Sequence, residues 1–352
     1  NVPKSVNIMI QYFHAKEKGN FMLAAEKLIR RGVENGVFPY AEWAAFDKDG
    51  IFSRGSTAGE GGRRFDLASL TKTFTATALL RLISEGKLRL EDDAASILEP
   101  PSPRLRDYLG QMSLYRLMTH TAGLPAWYPF YADGRPFFEA LEALLDAQGP
   151  EEGMVYSDIG FMLLGLVLSR VNGRPLEEVI DPFGFGAAYK PGPGPDLVPS
   201  CRDNAVEEGM CAERGFTFSG FRAHFRDVTG VPNDGNAHYF WNDVSGHAGL
   251  FGTALAVARL GEFYLAASEQ PYLGGVTPQP GCEGRCLVFH TGGAFPTGCG
   301  HTGFTGTSLW IDREAGLGLA LLTNRLCYDH LPRADMNAFR LAVHEAILEE
   351  RN

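Results

Sequence analysis

The sequence predicts an α/β (α+β) chain in which an antiparallel sheet is built from both termini, flanked by helices, and carries an inserted, mostly helical lobe. Three observations predict it. Apolar runs punctuated by turn residues lie near the two ends, and segments with apolar residues at three-to-four spacing fill the middle. The chain has 352 residues, 45% of them hydrophobic, enough for one large domain or two lobes around a real core. Strands at both ends with helices between require the ends to meet in one sheet. On this reading residues 1–65 and 285–352 form a discontinuous α/β lobe and residues 66–284 a helical lobe. The cleft between them is the natural place for a site.

Each element has a local reason. Ala24 to Val33 is a helix that Gly36 closes, and Tyr40 to Phe46 and Ile51 to Ser53 are strands around the Asp47-Lys48-Asp49-Gly50 turn. After a Gly-rich loop, Gly55 to Gly62, helices follow at Thr73 to Glu85, Leu114 to Met118, Phe137 to Ala147, Ile159 to Val171 and Ala254 to Ala267, each with helical apolar spacing. The stretch 181–242, rich in Pro, Gly, Asp and Cys, is expected to wrap irregularly over the rim of the site. Strands return at Thr307 to Ile311 and Leu317 to Thr323 around a turn at 312–316, and an amphipathic helix from about Ala334 to Glu349 ends the pattern.

Composition narrows the function classes. A net charge of −10 argues against nucleic acid or an anionic membrane as main partner and favours a small-molecule substrate. No apolar run is long enough to cross a bilayer. The chain begins at Asn1 rather than Met, so the absence of a signal peptide leaves cytoplasm and cell envelope both open. The six cysteines all lie in the second half, and their spacing does not suit zinc. Cys201 with Cys211, and Cys282 with Cys286, are either loop disulfides of an oxidising compartment or free thiols.

The chemistry starts at Ser69-Leu70-Thr71-Lys72, where a hydroxyl and an amine stand one helical turn apart at the head of an apolar helix. A serine is a poor nucleophile at neutral pH, and an amine on the same face can take or relay its proton. Ser84-Glu85-Gly86-Lys87 repeats the spacing, but Gly86 ends the helix there. Tyr156-Ser157-Asp158 precedes an apolar helix, so Ser157 or Asp158 caps it while Tyr156 offers a second proton-transfer group. His301-Thr302-Gly303 leads into a strand, where a glycine lets a substrate lie close to backbone. His290-Thr291-Gly292 repeats this triplet without a following hairpin and is expected to stand apart. His120, His238 and His247 are too dispersed for a metal and are expected to make structural hydrogen bonds. Trp127, Tyr128, Phe130 and Tyr131 either wall a cleft or simply pack.

In order, Ser69-x-x-Lys72, Tyr156-Ser157-Asp158 and His301-Thr302-Gly303 resemble the three motifs of the serine beta-lactamase and penicillin-binding protein superfamily, in its class C and esterase-like branch. Leu117 to Pro125 and Pro182-Phe183-Gly184 resemble further elements of that branch. Asn236-Ala237-His238, Gly246 to Phe251 and Gly300 to Asp312 are similar to bacterial members linked to cell-wall turnover, including N-acetylmuramyl-L-alanine amidases. The resemblance implies a beta-lactamase-like fold and a serine hydrolase that forms an acyl-enzyme. It implies Ser69 as nucleophile, Lys72 and Tyr156 as proton-transfer groups, an oxyanion hole from the N–H groups of Ser69 and Phe304, and substrate contacts at Asp158, His301, Thr302 and Gly303. No metal or organic cofactor is expected. The implied substrate is a peptidoglycan-derived amide, either a muramyl-peptide amide or a D-amino-acid peptide bond, with a small ester or a non-hydrolytic penicillin-binding or sensor role as alternatives. Two departures stand out: the second motif ends in Asp158 rather than Asn, and the third begins with His301 rather than Lys. Asp158 is placed either to pair with Lys72 or to meet a cationic or amide group of the substrate.

Overall fold

The computed structural model describes residues 22–224, 226–328 and 335–351. Helix α1 (Leu23–Glu34) leads into strands β1 (Ala41–Asp47) and β2 (Gly50–Ser56), then the two-residue strand β3 (Phe65–Asp66). Helices α2 (Thr71–Ser84), α3 (Ala94–Leu98), α4 (Pro103–Leu109), α5 (Leu114–Met118), α6 (Phe130–Asp133), α7 (Phe137–Gln148), α8 (Asp158–Asn172), α9 (Leu176–Val179) and α10 (Ala205–Glu213) follow. Strand β4 (Phe251–Gly252) precedes α11 (Ala254–Leu265), strands β5 (Cys299–Thr302), β6 (Ser308–Asp312) and β7 (Leu317–Thr323), and α12 (Met336–Arg351).

The five-stranded antiparallel sheet has the order β2-β1-β7-β6-β5, so β1 from the first part of the chain is zipped to β7 from the last, Ala41 opposite Thr323 through Asp47 opposite Leu317. Alternation along the strands sends side chains to two faces. Ala41, Trp43 and Ala45 of β1 and Leu317, Leu319 and Leu321 of β7 share a core with Ile29 of α1 and Val343 and Ile347 of α12. Ala44, Phe46, Ala320 and Leu322 face the other way and join Val257, Leu260 and Tyr264 of α11 in the main core, which continues into α2 and α8. Both faces are covered, which is why β1 and β7 read as nearly unbroken apolar runs rather than clean alternations.

The expected elements form, with ends shifted by at most three residues, and the helix expected from Ala334 starts at Met336 in the described residues. Short helices α3, α4, α6 and α9 carry too few periods to be recognised from spacing, although Asp93 and Ser102 cap the first two by accepting from Ser96 and Leu105 backbone N–H. The stretch 181–242 is not wholly irregular. It contains α10, and it runs behind Ser69 as well as around it, because the Asn233 backbone N–H donates to the buried Asp66 carboxylate at 2.7 Å. All six cysteines are free thiols.

His344 sits in the core beneath the sheet, stacked on Trp310 at 4.6 Å, with Nδ1 on the Ala294 carbonyl at 2.9 Å and Nε2 without a partner. Burial drives its imidazole from the ordinary 6.5 down to about 3. The unfolded chain therefore binds a proton that the folded chain refuses, and stability contributed by this residue falls as pH drops from the ordinary imidazole range toward 3. His344→Phe keeps the ring stacking and removes the titration. Denaturant midpoints at acidic and neutral pH should show the variant losing less than wild type on acidification, by about 3 kcal/mol between pH ~7 and ~4.5. Equal losses would mean His344 is not an acid trigger.

Candidate active site

The site begins with a strained turn. Asp66, at the end of β3, is buried and accepts from the Ala68 backbone N–H at 2.9 Å, which holds Ala68 at φ 47°, a left-handed conformation that costs a non-glycine residue about 1 kcal/mol. Burial pushes the Asp66 carboxyl up to about 6. Ser69 follows in a single 3₁₀ turn that runs straight into α2. Its hydroxyl thus projects from a sharp bend rather than from a regular helix, and Lys72, one turn on, reaches Ser69 Oγ at 3.1 Å.

Lys72 is buried, and three groups converge on its ammonium. It donates to Ser69 Oγ and to the His247 carbonyl, each at 3.1 Å, and meets Asp158 Oδ1 at 2.7 Å. The Tyr156 ring also lies beside it, its centre 5.0 Å from Nζ. Burial alone favours the neutral amine, but the attraction of Asp158 and then Tyr156 outweighs it and holds the Lys72 pKa above its ordinary value. The His247 carbonyl is aimed here by a close backbone approach. A Cβ on Gly246 would lie 2.2 Å from the Phe161 carbonyl of α8, so only glycine lets this loop reach the helix. Behind it, His247 Nε2 pairs with Asp234 at 2.8 Å and Nδ1 with Ser245 Oγ at 2.8 Å. Burial pushes the Asp234 carboxyl up, yet its partner His247 and the Ala237 N–H pull it below the usual range.

Tyr156 and Asp158 are fixed by the start of α8. Ser157 caps that helix by accepting from Gly160 N–H, donates its hydroxyl to the Pro125 carbonyl at 2.7 Å, and has its own N–H on His120 Nδ1 at 3.0 Å. The helix cap and the contact with Lys72 therefore coexist in one tripeptide. His120 packs on the Tyr156 ring at 4.5 Å, and Lys72 Nζ lies 5.0 Å from the centre of that ring.

The third motif arrives on β5 and its turn into β6. Thr305 Oγ1 donates to the Asp66 carbonyl at 2.8 Å and Thr307 Oγ1 to the Leu67 carbonyl at 3.0 Å, hooking this turn onto the one that bears Ser69. A Cβ on Gly303 would stand 2.7 Å from the Leu67 carbonyl, so the approach needs glycine. Around the junction lies a 310 Å³ cavity lined by Ser69, Tyr156, Thr302, Gly303, Phe304, Arg325 and Arg340, among others. His301 itself is buried. Burial, and then His290, Arg285 and Lys72, hold its imidazole well below its ordinary value, hence neutral.

The structure bears on several of the sequence alternatives. Of the two roles open to Asp158, the pairing with Lys72 is formed here. His290 does not stand apart: it bridges Gly300 through hydrogen bonds of 3.0 and 2.9 Å, and its ring lies 5.9 Å from that of His301. Trp127, Tyr128, Phe130 and Tyr131 pack in buried aromatic clusters with Phe216, Phe218 and Phe137, and none of them lines the cavity at Ser69. Ser84 donates to the Arg81 carbonyl, and Lys87 pairs with Glu85, so that repeat is structural. His120, His247 and His238, the last paired with Asp243 at 2.6 Å, all make hydrogen bonds. Asp158, Asp234 and His247 bring three donor atoms within 4.8 Å, but a cation among them would meet the Lys72 ammonium, and Asp234 and His247 already satisfy each other. Sequence reasoning missed Asp66, Asp234, Arg285, Arg325 and Arg340. Asp66 is a sequence neighbour of Ser69 whose role shows only in its bond to the Ala68 N–H, and the other four are brought in by tertiary structure, which no spacing rule reveals.

Over this geometry, a family model described as Beta-lactamase matches residues 25–182 and 201–342. The chain belongs to the beta-lactamase family. It is a serine hydrolase of the beta-lactamase and penicillin-binding protein superfamily, mixed α/β with the antiparallel sheet of that fold. It is 28% identical over 326 residues to an N-acetylmuramyl-L-alanine amidase of Bacillus subtilis (strain 168), covering 77% of this chain and 69% of the relative. It is 29% identical over 317 residues to a putative D-alanyl-D-alanine carboxypeptidase of Escherichia coli (strain K12), covering 78% and 71%. Among solved structures, the octameric penicillin-binding protein homologue from Pyrococcus abyssi superposes with a TM-score of 0.64 at 18% identity, covering 90% of this chain and 76% of that one. Among the described residues no helix is long and apolar enough to cross a membrane.

The clamp on Lys72 makes a pH prediction. The Asp158 carboxylate favours the ammonium, so in its absence the proton is lost at lower pH. Asp158→Asn should therefore move the ascending limb of kcat/KM against pH to lower pH, measured on an uncharged nitrophenyl ester. An unmoved limb would show that Asp158 does not set the charge of Lys72.

Proposed function

We propose that this hydrolase cleaves a peptidoglycan-derived amide, either a muramyl-peptide amide or a D-amino-acid peptide bond, through an acyl-enzyme on Ser69. The observation that carries the mechanism is the 3.1 Å contact between Ser69 Oγ and a buried Lys72 whose Nζ lies 5.0 Å from the centre of the Tyr156 ring. The amidase and carboxypeptidase relatives support the substrate class.

Lys72 and Tyr156 act as one proton-sharing pair. The competent form has one proton fewer than the fully loaded pair, whether written as ammonium with phenolate or as amine with phenol. Ser69 gives its proton to the pair as its oxygen attacks the carbonyl carbon. The developing oxyanion is received by the backbone N–H groups of Ser69 and Phe304, neither of which bonds another backbone group among the described residues. The pair returns the proton to the leaving nitrogen through Tyr156, the C–N bond breaks, and the acyl group remains on Ser69. Water then attacks the ester with the pair as base, and the acid product leaves. Thr302 and Gly303, lining the cavity beside Ser69, hold the substrate backbone, and His301 supports this edge from beneath.

Incubation with purified muropeptides and with nitrophenyl esters, followed by mass detection of products, tests the substrate. New peptide and saccharide fragments, or a lost terminal D-amino acid, are expected; ester hydrolysis with intact muropeptides would favour a carboxylesterase. Ser69→Ala should lower turnover by at least about 1,000-fold without loss of fold, whereas Ser84→Ala should not change it. Lys72→Ala and Tyr156→Phe should each cost roughly 100-fold, and the double variant should be little worse than the poorer single one, because both act on one proton. Full additivity would separate their roles.

A further inference from the structure

Asn233, Asp234 and Gly235, side by side in the chain, tie together three parts of the site. The Asn233 N–H donates to Asp66 in the turn before Ser69, the Asp234 carboxylate meets His247, and the Gly235 N–H donates to Glu207 of α10 at 2.9 Å. The Asp234 carboxylate is itself aimed, since the Ala237 N–H donates to its Oδ1 at 2.7 Å. His247 is fully buried with both ring nitrogens engaged, Nε2 by Asp234 and Nδ1 by Ser245 Oγ, each at 2.8 Å. Hydroxyl, imidazole and carboxylate thus stand in the order of a nucleophilic triad. Ser245 is buried and does not line the cavity at Ser69, so this chain of bonds has no substrate to attack and its effect must pass through something else.

The route is the backbone of His247. Its loop is strapped to the start of α2: Thr75 Oγ1 donates to the Gly246 carbonyl at 2.7 Å, the Leu250 N–H to Thr71 Oγ1 at 3.2 Å, and Lys72 Nζ to the His247 carbonyl at 3.1 Å. A ring held at both nitrogens restricts rotation of its residue, and with it the direction of the carbonyl. The same pair adds charge. Carboxylate oxygens of Asp158 and Asp234 and a ring nitrogen of His247 lie within 4.8 Å of one another, so Lys72 faces a second carboxylate beyond the one it touches. The attraction is mutual, since Lys72 is among the groups that hold Asp234 below its usual range. The other titratable groups around this centre are Tyr156 and His120 beside α8, Glu207 on α10, and His290, His301 and Arg285 on the β5 side.

We propose that Asp234 and His247 form the positioning pair of this active site, fixing the His247 carbonyl as the acceptor that keeps Lys72 aimed at Ser69. The assignment rests on Ser69 being the nucleophile and Lys72 its proton partner. Neither Asp234 nor His247 lines the cavity at Ser69, and neither exchanges a proton with Ser69; both act through Lys72. Loss of the pair frees Lys72 to tilt away from Ser69 Oγ, which slows attack by Ser69 without changing what the cavity binds.

The test measures, by mass, the second-order rate at which an uncharged aryl phosphonate labels Ser69 across a range of pH in wild type, Asp234→Asn, His247→Phe and His247→Gln. Labelling reports attack by Ser69 alone and needs no turnover. On the plateau above the ascending limb, Asp234→Asn and His247→Phe should each label about 10-fold more slowly. The limb itself should lie at lower pH in Asp234→Asn, because the ammonium has lost a carboxylate partner. His247→Gln, whose amide can still donate to Asp234, should stay within about 3-fold of wild type. Val343→Ala, in the core on the far face of the sheet, should lower the melting temperature and leave the labelling rate unchanged. Ser69→Ala, which should not label, and Lys72→Ala, which should label slowly, test the nucleophile and its partner on their own. Wild-type rates in Asp234→Asn or His247→Phe, an unmoved limb, a His247→Gln rate no better than that of His247→Phe, or equal slowing by Val343→Ala would each overturn the proposal.

Discussion

The ammonium of Lys72 is the constraint around which the molecule is arranged. Taking a lysine out of water costs several kcal/mol unless partners replace its hydration, and here Ser69 Oγ, the His247 carbonyl and the Asp158 carboxylate do so from three different parts of the chain. Each partner is delivered by its own device: the Asp66-braced turn before α2, the Ser157 cap of α8, and the glycine approach at Gly246. Displacing any one of them leaves a buried charge short of a ligand. The same network therefore secures the packing of α2 against α8 and keeps the Ser69 hydroxyl aligned with Lys72.

Charge is distributed unevenly about this centre. On the α8 side the acids gather, with Asp158 against Lys72 and Asp234 locked to His247 behind it. On the β5 side there are neutral imidazoles and guanidinium groups. The space between Ser69 and β5 is thus flanked by fixed charges held in place by the fold, the condition under which electrostatic stabilisation is most effective.

Much of this could be read in the sequence. Long periodic helices such as α2 and α8 and the strand pair β6–β7 were legible because their burial is one-dimensional, written in spacing. The Ser69, Lys72, Tyr156 and His301 positions were legible because each sits in a local motif that also shapes backbone. What was hidden depends on distance along the chain. Nothing in Asp66 announces that Asn233 will cap its carboxylate, and nothing in Arg285 shows that two isolated bridges will carry it to Tyr156. The nearness of His290 to His301 is hidden for the same reason, since the bridge to Gly300 runs across the strands rather than along the chain. The aromatic run 127–131 is equally apolar in a cleft wall or a core, and only tertiary packing with Phe216 and Phe218 decides.

The pairing of β1 with β7 also has a temporal side. During synthesis the β1–β2 hairpin leaves the ribosome long before β7 exists, and an isolated hairpin is marginal in water. For most of translation β1 therefore presents one unpaired edge and apolar side chains on both faces, while the helices of the insertion can already collapse on one another. Closure of the sheet is a late, long-range event of the kind that folds slowly and is exposed to aggregation. A growing chain of this design spends its most vulnerable interval waiting for its own late strands.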